Sequence, residues 1–185
     1  NLNSNFSNNE KLFVSVKTQK DNSIVTSFYS DRAKPFVKKY KFIKGFEGGN
    51  LDFSSTKVNN TSKSKLIIDN FKVQEVPVLA KILTLASLQG IADLLTGEGV
   101  RFTDFEMIYS NKGSLMTIDE IYAIGPALSI MMEGYVESQK IVSLRGTLVP
   151  ATTINRTISS IPLLGNLLVG KKVGEGVFGV SFKIK

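Results

Sequence analysis

The chain has neither cysteine nor histidine. Thiolate nucleophiles, disulfides, Cys/His zinc sites, imidazole general bases and Ser-His-Asp triads are therefore excluded, and most hydrolase chemistry goes with them. No secretory leader heads the sequence and no stretch of about 18 uninterrupted apolar residues occurs, so no segment reads as a bilayer-spanning helix. The missing cysteine does not choose a compartment. What is present is a chain of 185 residues, 42% hydrophobic and 21% charged, enough to bury a core in a single domain over 1–185. The net charge of +7 favours anionic partners, but lysine and asparagine are used heavily throughout, so the charge is discounted as a functional signal. The first residue is Asn1 and not Met, which reads as a piece of a longer protein with room for a membrane anchor upstream.

The opening half reads as sheet. Leu12, Val14, Val16 and Thr18 alternate with Phe13, Ser15 and Lys17, and Asp21-Asn22 marks a turn before Ile24 to Ser30, so a hairpin is expected. A short helix from about Asp31 to Tyr40 follows, with Asp31 as its cap, Ala33, Phe36, Val37 and Tyr40 at helical spacing, and Pro35 in the first turn. Gly45, Gly48 and Gly49 break that pattern. Leu51 and Phe53 begin an extended piece, a polar loop is expected from Asn59 to Lys63, and Leu66 to Val73 resumes as a strand.

Pro77 to Thr96 differs in kind. Leu79, Ile82, Leu83, Leu88, Ile91 and Leu95, with their apolar neighbours, cover most of a helix circumference, Pro77 suits a helix start and Gly97 a stop. Twenty helical residues reach roughly 30 Å. Lys81, Gln89 and Asp93 argue against spanning a bilayer, so this long apolar helix is expected to lie against apolar material, either the chain's own sheet or something outside it.

Four strands then alternate legibly. Leu128, Ile130, Met132, Gly134 and Val136 share a parity; so do Val142, Leu144, Gly146 and Leu148; Met116, Ile118, Tyr122 and Ile124 are read as a third such set. The apolar parity changes between Phe102 and Phe105, which predicts a bulge or bend and hence sheet curvature. Phe178, Val180, Phe182 and Ile184 close the chain as a last strand. Between the last two strands, Ile161, Leu163, Leu164, Leu167 and Leu168 form an apolar insertion punctuated by Pro162 and Gly165, read as a plug for a groove, a contact with a membrane or partner, or a cap on the core.

The segments Ile68–Phe102 and Leu148–Ile184 carry a resemblance. Val149-Pro150, the Asn155 that follows, Ile161-Pro162-Leu163-Leu164-Gly165 and the Gly174-Glu175-Gly176 entry to the final strand, in that order and spacing, are similar to the C-terminal region of the YhdP branch of the AsmA-like family, bacterial bridge-like lipid transfer proteins. Phe28 to Phe53 resembles the same family's strand, short helix and Gly-Gly strand, so the likeness runs from about Phe28 to the end. The resemblance implies a periplasmic domain whose parent is anchored in the inner membrane, with a curved, apolar-lined β-groove that moves phospholipids between the two membranes of a Gram-negative envelope, and no enzymatic activity. The tract Lys34 to Lys44 is more basic than the family pattern, which leaves a partner-specific role open there.

Physics agrees with such a groove. An acyl chain of about 16 carbons crossing water exposes methylenes at about 0.8 kcal/mol each, and a continuous apolar strip removes that cost. An antiparallel sheet supplies one because alternate residues of every strand point to one side. Other signals have plainer readings. The lysines at 34, 38, 39, 41 and 44 among aromatics read as a solvated helix face, not a nucleic-acid site. The glycines from 165 to 179 lack the hydroxyl that a phosphate loop requires after its lysine. Asp104 with Glu106, and Asp119 with Glu120, read as solvent-facing strand charges.

The expected fold is α+β and β-rich: a curved antiparallel sheet forming a groove, with one long apolar helix and one or two short helices packed on it. The expected lining is Met116, Ile118, Tyr122, Ile124, Leu128, Ile130, Met132, Val136, Val142, Leu144, Leu148, Phe178, Val180 and Phe182. The expected partners are phospholipid acyl chains, with membrane or envelope proteins as further partners. No cofactor, metal or nucleic acid is expected. The alternative is a structural or assembly module that binds envelope proteins through the same apolar surfaces.

Overall fold

A computed structural model describes residues 2–5, 10–37, 44–77, 79, 80, 83, 90, 93, 97–137, 141–150 and 180–184. The strands in chain order are β1 (Leu2–Asn5), β2 (Lys11–Thr18), β3 (Ile24–Ser30), β4 (Lys44–Val58), β5 (Thr61–Gln74), β6 (Val100–Lys112), β7 (Leu115–Ile124), β8 (Leu128–Glu137), β9 (Ile141–Pro150) and β10 (Val180–Ile184); one helix, α1 (Lys34–Val37), lies between β3 and β4. Each strand pairs antiparallel with the next, giving one ten-stranded meander in sequence order.

The α+β expectation is corrected here. The described fold is an all-antiparallel sheet whose one helical element is the four-residue α1. Isolated described positions between 77 and 93 have helical backbone, but most of Pro77–Thr96 lies outside the described residues, and no long apolar helix is part of the described fold. Among the described residues, no helix is long and apolar enough to cross a membrane. Ten paired strands therefore set the fold class, and apolar content at helical spacing does not by itself add a helical layer to it.

Local chemistry sets the turns. Asn22 takes a positive φ of 62°, and the Asp21 carboxylate accepts from the backbone N–H and hydroxyl of Ser23 at 3.0 and 2.7 Å, closing the β2–β3 hairpin. The expected loop from Asn59 to Lys63 is shorter: Val58 already pairs with Thr61, and Asn59 at φ 51° makes a two-residue turn. Asp31 does not cap the helix. Its carboxylate accepts instead from the Lys11 N–H and the Tyr29 hydroxyl, both at 2.6 Å, and so ties β2 to β3.

Gly48 and Gly49 do not interrupt β4 but bend it, at φ 71° and 77°. Opposite them Asn70 is at φ 54°, and β5–β6 pairing skips from Asp69–Asp104 to Phe71–Phe102. The bend therefore crosses three strands and accounts for the parity change between Phe102 and Phe105. It puts Phe71 against Phe46 and Phe102, with ring centroids 5.2 and 5.5 Å apart, and edge-on to Phe105 at 6.2 Å. Ala33 donates its N–H to the Gly49 carbonyl at 2.8 Å, which fixes the start of α1 over the bend.

Three carboxyls stabilise the folded state electrostatically. The Ser23 hydroxyl holds Asp21 below the ordinary carboxylate range, the Tyr29 hydroxyl does so for Asp31, and the Lys72 ammonium at 3.0 Å does so for Glu47. The Tyr29 phenol is held above its usual value by the same bond to Asp31. A depressed carboxyl contributes stability above its unfolded pKa of about 4 and loses it as pH falls through the folded value; a raised phenol contributes below about 10 and loses it at higher pH. The urea midpoint is expected to be flat from about pH 5 to 9 and to fall on both sides, with a shallower acid limb in Asp31→Asn.

Candidate functional site

In an antiparallel sheet, residues directly opposite one another project to the same side. One such transverse row runs Leu12, Ser30, Leu51, Ile68, Phe105, Ala123, Ile130, Leu148 from β2 to β9. The next row on that side runs Val14, Phe28, Phe53, Leu66, Met107, Ile121, Met132, Gly146. Only Ser30 is polar among these sixteen positions, and its hydroxyl is closed onto the Arg32 backbone. Seven strand intervals at about 4.8 Å make each row roughly 34 Å long. The sequence reading found the β8 and β9 members but not Val14, Phe28, Phe53, Leu66 or Met107; their strand parity was visible, their alignment across strands was not.

The opposite side is mixed, with Ile67, Ile108 and Met131 among charged residues that pair with one another. Glu106 accepts from Lys65 at 2.8 Å and from the Tyr122 hydroxyl at 3.3 Å, and Asn50 bonds Asp69 at 3.2 Å. Asp104 shares this side with Glu106 and accepts from the Thr103 hydroxyl at 2.7 Å. Burial and the Glu106 carboxylate push the Tyr122 phenol above its ordinary range. No group of carboxylates able to hold a metal occurs among the described residues.

The expected lining divides into four groups. Met116, Ile118, Leu128, Ile130, Met132, Val136, Val142, Leu144 and Leu148 do share the apolar side. Tyr122 and Ile124 do not. A bulge in β7 between Ile118 and Ile121 inverts the parity, so Ile121 and Ala123 face the apolar side and Tyr122 and Ile124 the polar one. Val180 and Phe182 occupy register positions opposite Leu148 and Gly146. Phe178, Ile82, Leu88, Ile91, Leu95, Ile161, Leu163, Leu164, Leu167 and Leu168 lie outside the described residues, as do Lys38, Lys39, Lys41 and the glycines from 165 to 179.

Exposure splits the apolar side. Leu51, Ile68, Ala123, Ile130, Leu128 and Leu148 are buried in one cluster with Ala33, Val37, Leu79 and Leu83, so the chain's own segments cover the first row. Ile130, Leu128 and Leu148 are core residues in this fold. The second row is covered only in part: Val14, Phe28, Phe53, Leu66, Met107 and Met132 keep accessible surface while Ile121 is buried, and Leu144 continues the open part toward the hairpin tips. An apolar ledge remains beside a filled core.

Comparison with family models, with curated proteins and with solved structures finds no match to this chain. The site is therefore read from its own geometry.

Proposed function

We propose that this domain is a non-catalytic lipid-handling module, in which an acyl chain lies along the half-covered transverse row from Val14 to Met132. The observation that carries the reading is the make-up of that row: seven apolar side chains on seven consecutive strands with no charge between them, five in succession from Val14 to Met107 keeping accessible surface, then Ile121 buried and Met132 half-buried. One leaflet's acyl layer is about 15 Å deep, so a track of roughly 30 Å accepts an extended chain with room to slide. Each methylene laid on it saves about 0.8 kcal/mol of hydration cost when fully covered. The charged reverse side, with Lys65 and Glu106 paired, keeps the sheet wetted on its back. Phospholipid as cargo and a Gram-negative envelope as location rest on the sequence resemblance alone.

Native mass spectrometry of the domain purified from bacterial cells is the direct test. Phospholipid is expected to co-purify, and a photoreactive residue at Met132 or Leu66 to crosslink it while one at Tyr122, on the other side, does not. Met132→Glu places a carboxylate on the track and is expected to lower bound lipid about tenfold or more, since burying an unpaired charge costs well over 1.4 kcal/mol. Lipid-free protein with a stoichiometric protein partner on the same face would favour the assembly-module reading instead.

A further inference from the structure

One margin of the sheet differs from the rest. The row Thr18, Ile24, Lys57, Ser62, Asn111, Met116, Val136, Val142 is the last shared by every strand from β2 to β9 before the four hairpin turns. The closing pairs Thr18–Ile24, Val58–Thr61, Lys112–Leu115 and Glu137–Ile141 are thus level in register to within one residue. Seven of the eight exposed large hydrophobic side chains among the described residues sit within two positions of this row. They are Val16 and Ile24 on the first hairpin, Val58 on the second, Leu115 on the third, and Tyr135, Ile141 and Val142 on the fourth.

These side chains do not belong to one face of the sheet. Ile24 and Val142 project to the apolar side, whereas Tyr135, opposite Thr117 and Ser143, projects to the polar one. Burial by the sheet's own core therefore does not explain them, because that core lies at the other end, around Leu51, Ile68, Leu128 and Leu148. Interleaved with them are the exposed lysines 17, 20, 57, 63 and 112, none with a carboxylate partner among the described residues. The acidic groups within two positions of the row or in the turns beyond it are Asp21, which keeps its charge while accepting from Ser23, and Glu137, so five lysines face two carboxylates there.

We propose that this hairpin margin docks on an anionic lipid surface, the apolar tips entering the headgroup layer and the lysines meeting lipid phosphates. Each lysine near such a surface is worth about fivefold in partitioning, and small apolar tips add the contact that charge alone lacks. Nucleic acid matches the charge but has no use for Val58, Leu115 or Ile141 standing in water. The inference is separate from the acyl-chain track: a domain that docks without extracting lipid, or that carries lipid without docking, distinguishes the two.

The chain has no tryptophan, so Leu115→Trp gives a single reporter at a tip. With vesicles rich in phosphatidylglycerol, flotation and a blue-shifted emission are expected; with pure phosphatidylcholine vesicles, neither. Lys57→Glu with Lys112→Glu is expected to cut binding at least 20-fold, and Val58→Ser with Ile141→Ser to cut it several-fold, all four positions being exposed so that folding, checked by circular dichroism, persists. Absence of vesicle binding at low salt would overturn the proposal. So would binding indifferent to the apolar pair, or a tryptophan that stays in water, or tighter lysine-dependent binding to DNA than to vesicles.

Discussion

Leu148→Ala is expected to lower the unfolding free energy by about 2–5 kcal/mol, whereas Leu144→Ala, four residues along β9 on the same side, costs about 1 kcal/mol. Leu148 has no exposed surface and Leu144 is half-buried. The difference between two identical side chains reports how far the chain itself has filled its apolar side. Leu148 sits opposite Ile130 and inside the cluster that Leu79, Leu83 and Val37 complete, so its truncation leaves a cavity whose walls belong to several elements and relax little. Leu144 lies opposite Gly134, which has no side chain to pack against it. Urea denaturation of both variants is the measurement. Equal losses would mean that the apolar side is uniformly packed, and the half-covered ledge would lose its basis.

Gly134→Ala is the second large effect, about 3 kcal/mol or more. Gly134 has a φ of 149°, and a Cβ placed there would run into the Ser143 carbonyl oxygen and fall 3.0 Å from the Leu144 Cα. Both atoms are backbone of the paired strand, so no rotamer change relieves the clash and β8 must separate from β9. Gly113→Ala is the control. Gly113 also has a positive φ, at 61°, but has nothing within 4 Å of the added carbon. Its cost is conformational alone, about 1–2 kcal/mol. A Gly134→Ala loss no greater than that of Gly113→Ala would show that β9 yields easily. Because Arg145 meets Glu133 at 2.6 Å beside this contact, hydrogen exchange at Ser143 to Arg145 should accelerate only in the Gly134 variant.

Both results bear on how the sheet makes a ledge. Glycine at 134 and 146 puts no side chain at two positions of the apolar rows of β8 and β9, and the β7 bulge turns Ile121 and Ala123 to the apolar side in place of Tyr122 and Ile124. The bulge was not legible from parity because Met116, Ile118, Tyr122 and Ile124 all have even numbers and are all apolar or aromatic. A one-residue slip in pairing inverts every later side chain, and nothing in the strand's own composition marks the slip. The bend at Gly48, Gly49 and Asn70 was half legible: the Phe102–Phe105 parity change signalled it, whereas the glycines read only as a break before Leu51, and only the register joins them into one crease across three strands.

By itself the sequence determined that strands dominate, that a hairpin closes at Asp21-Asn22, that a break begins at Asn59, and that β8 and β9 each carry one apolar side, since these follow from side-chain alternation and turn chemistry within a few residues. It also removed cysteine and histidine chemistry outright. The tertiary structure alone decided which strands share a row, that Leu128, Ile130 and Leu148 serve the core while Leu66, Met107 and Met132 remain half open, and that Val58, Leu115 and Ile141 gather at one margin. Each of those depends on pairing between residues far apart in the chain, where register and burial are set by what lies opposite and not by what lies adjacent.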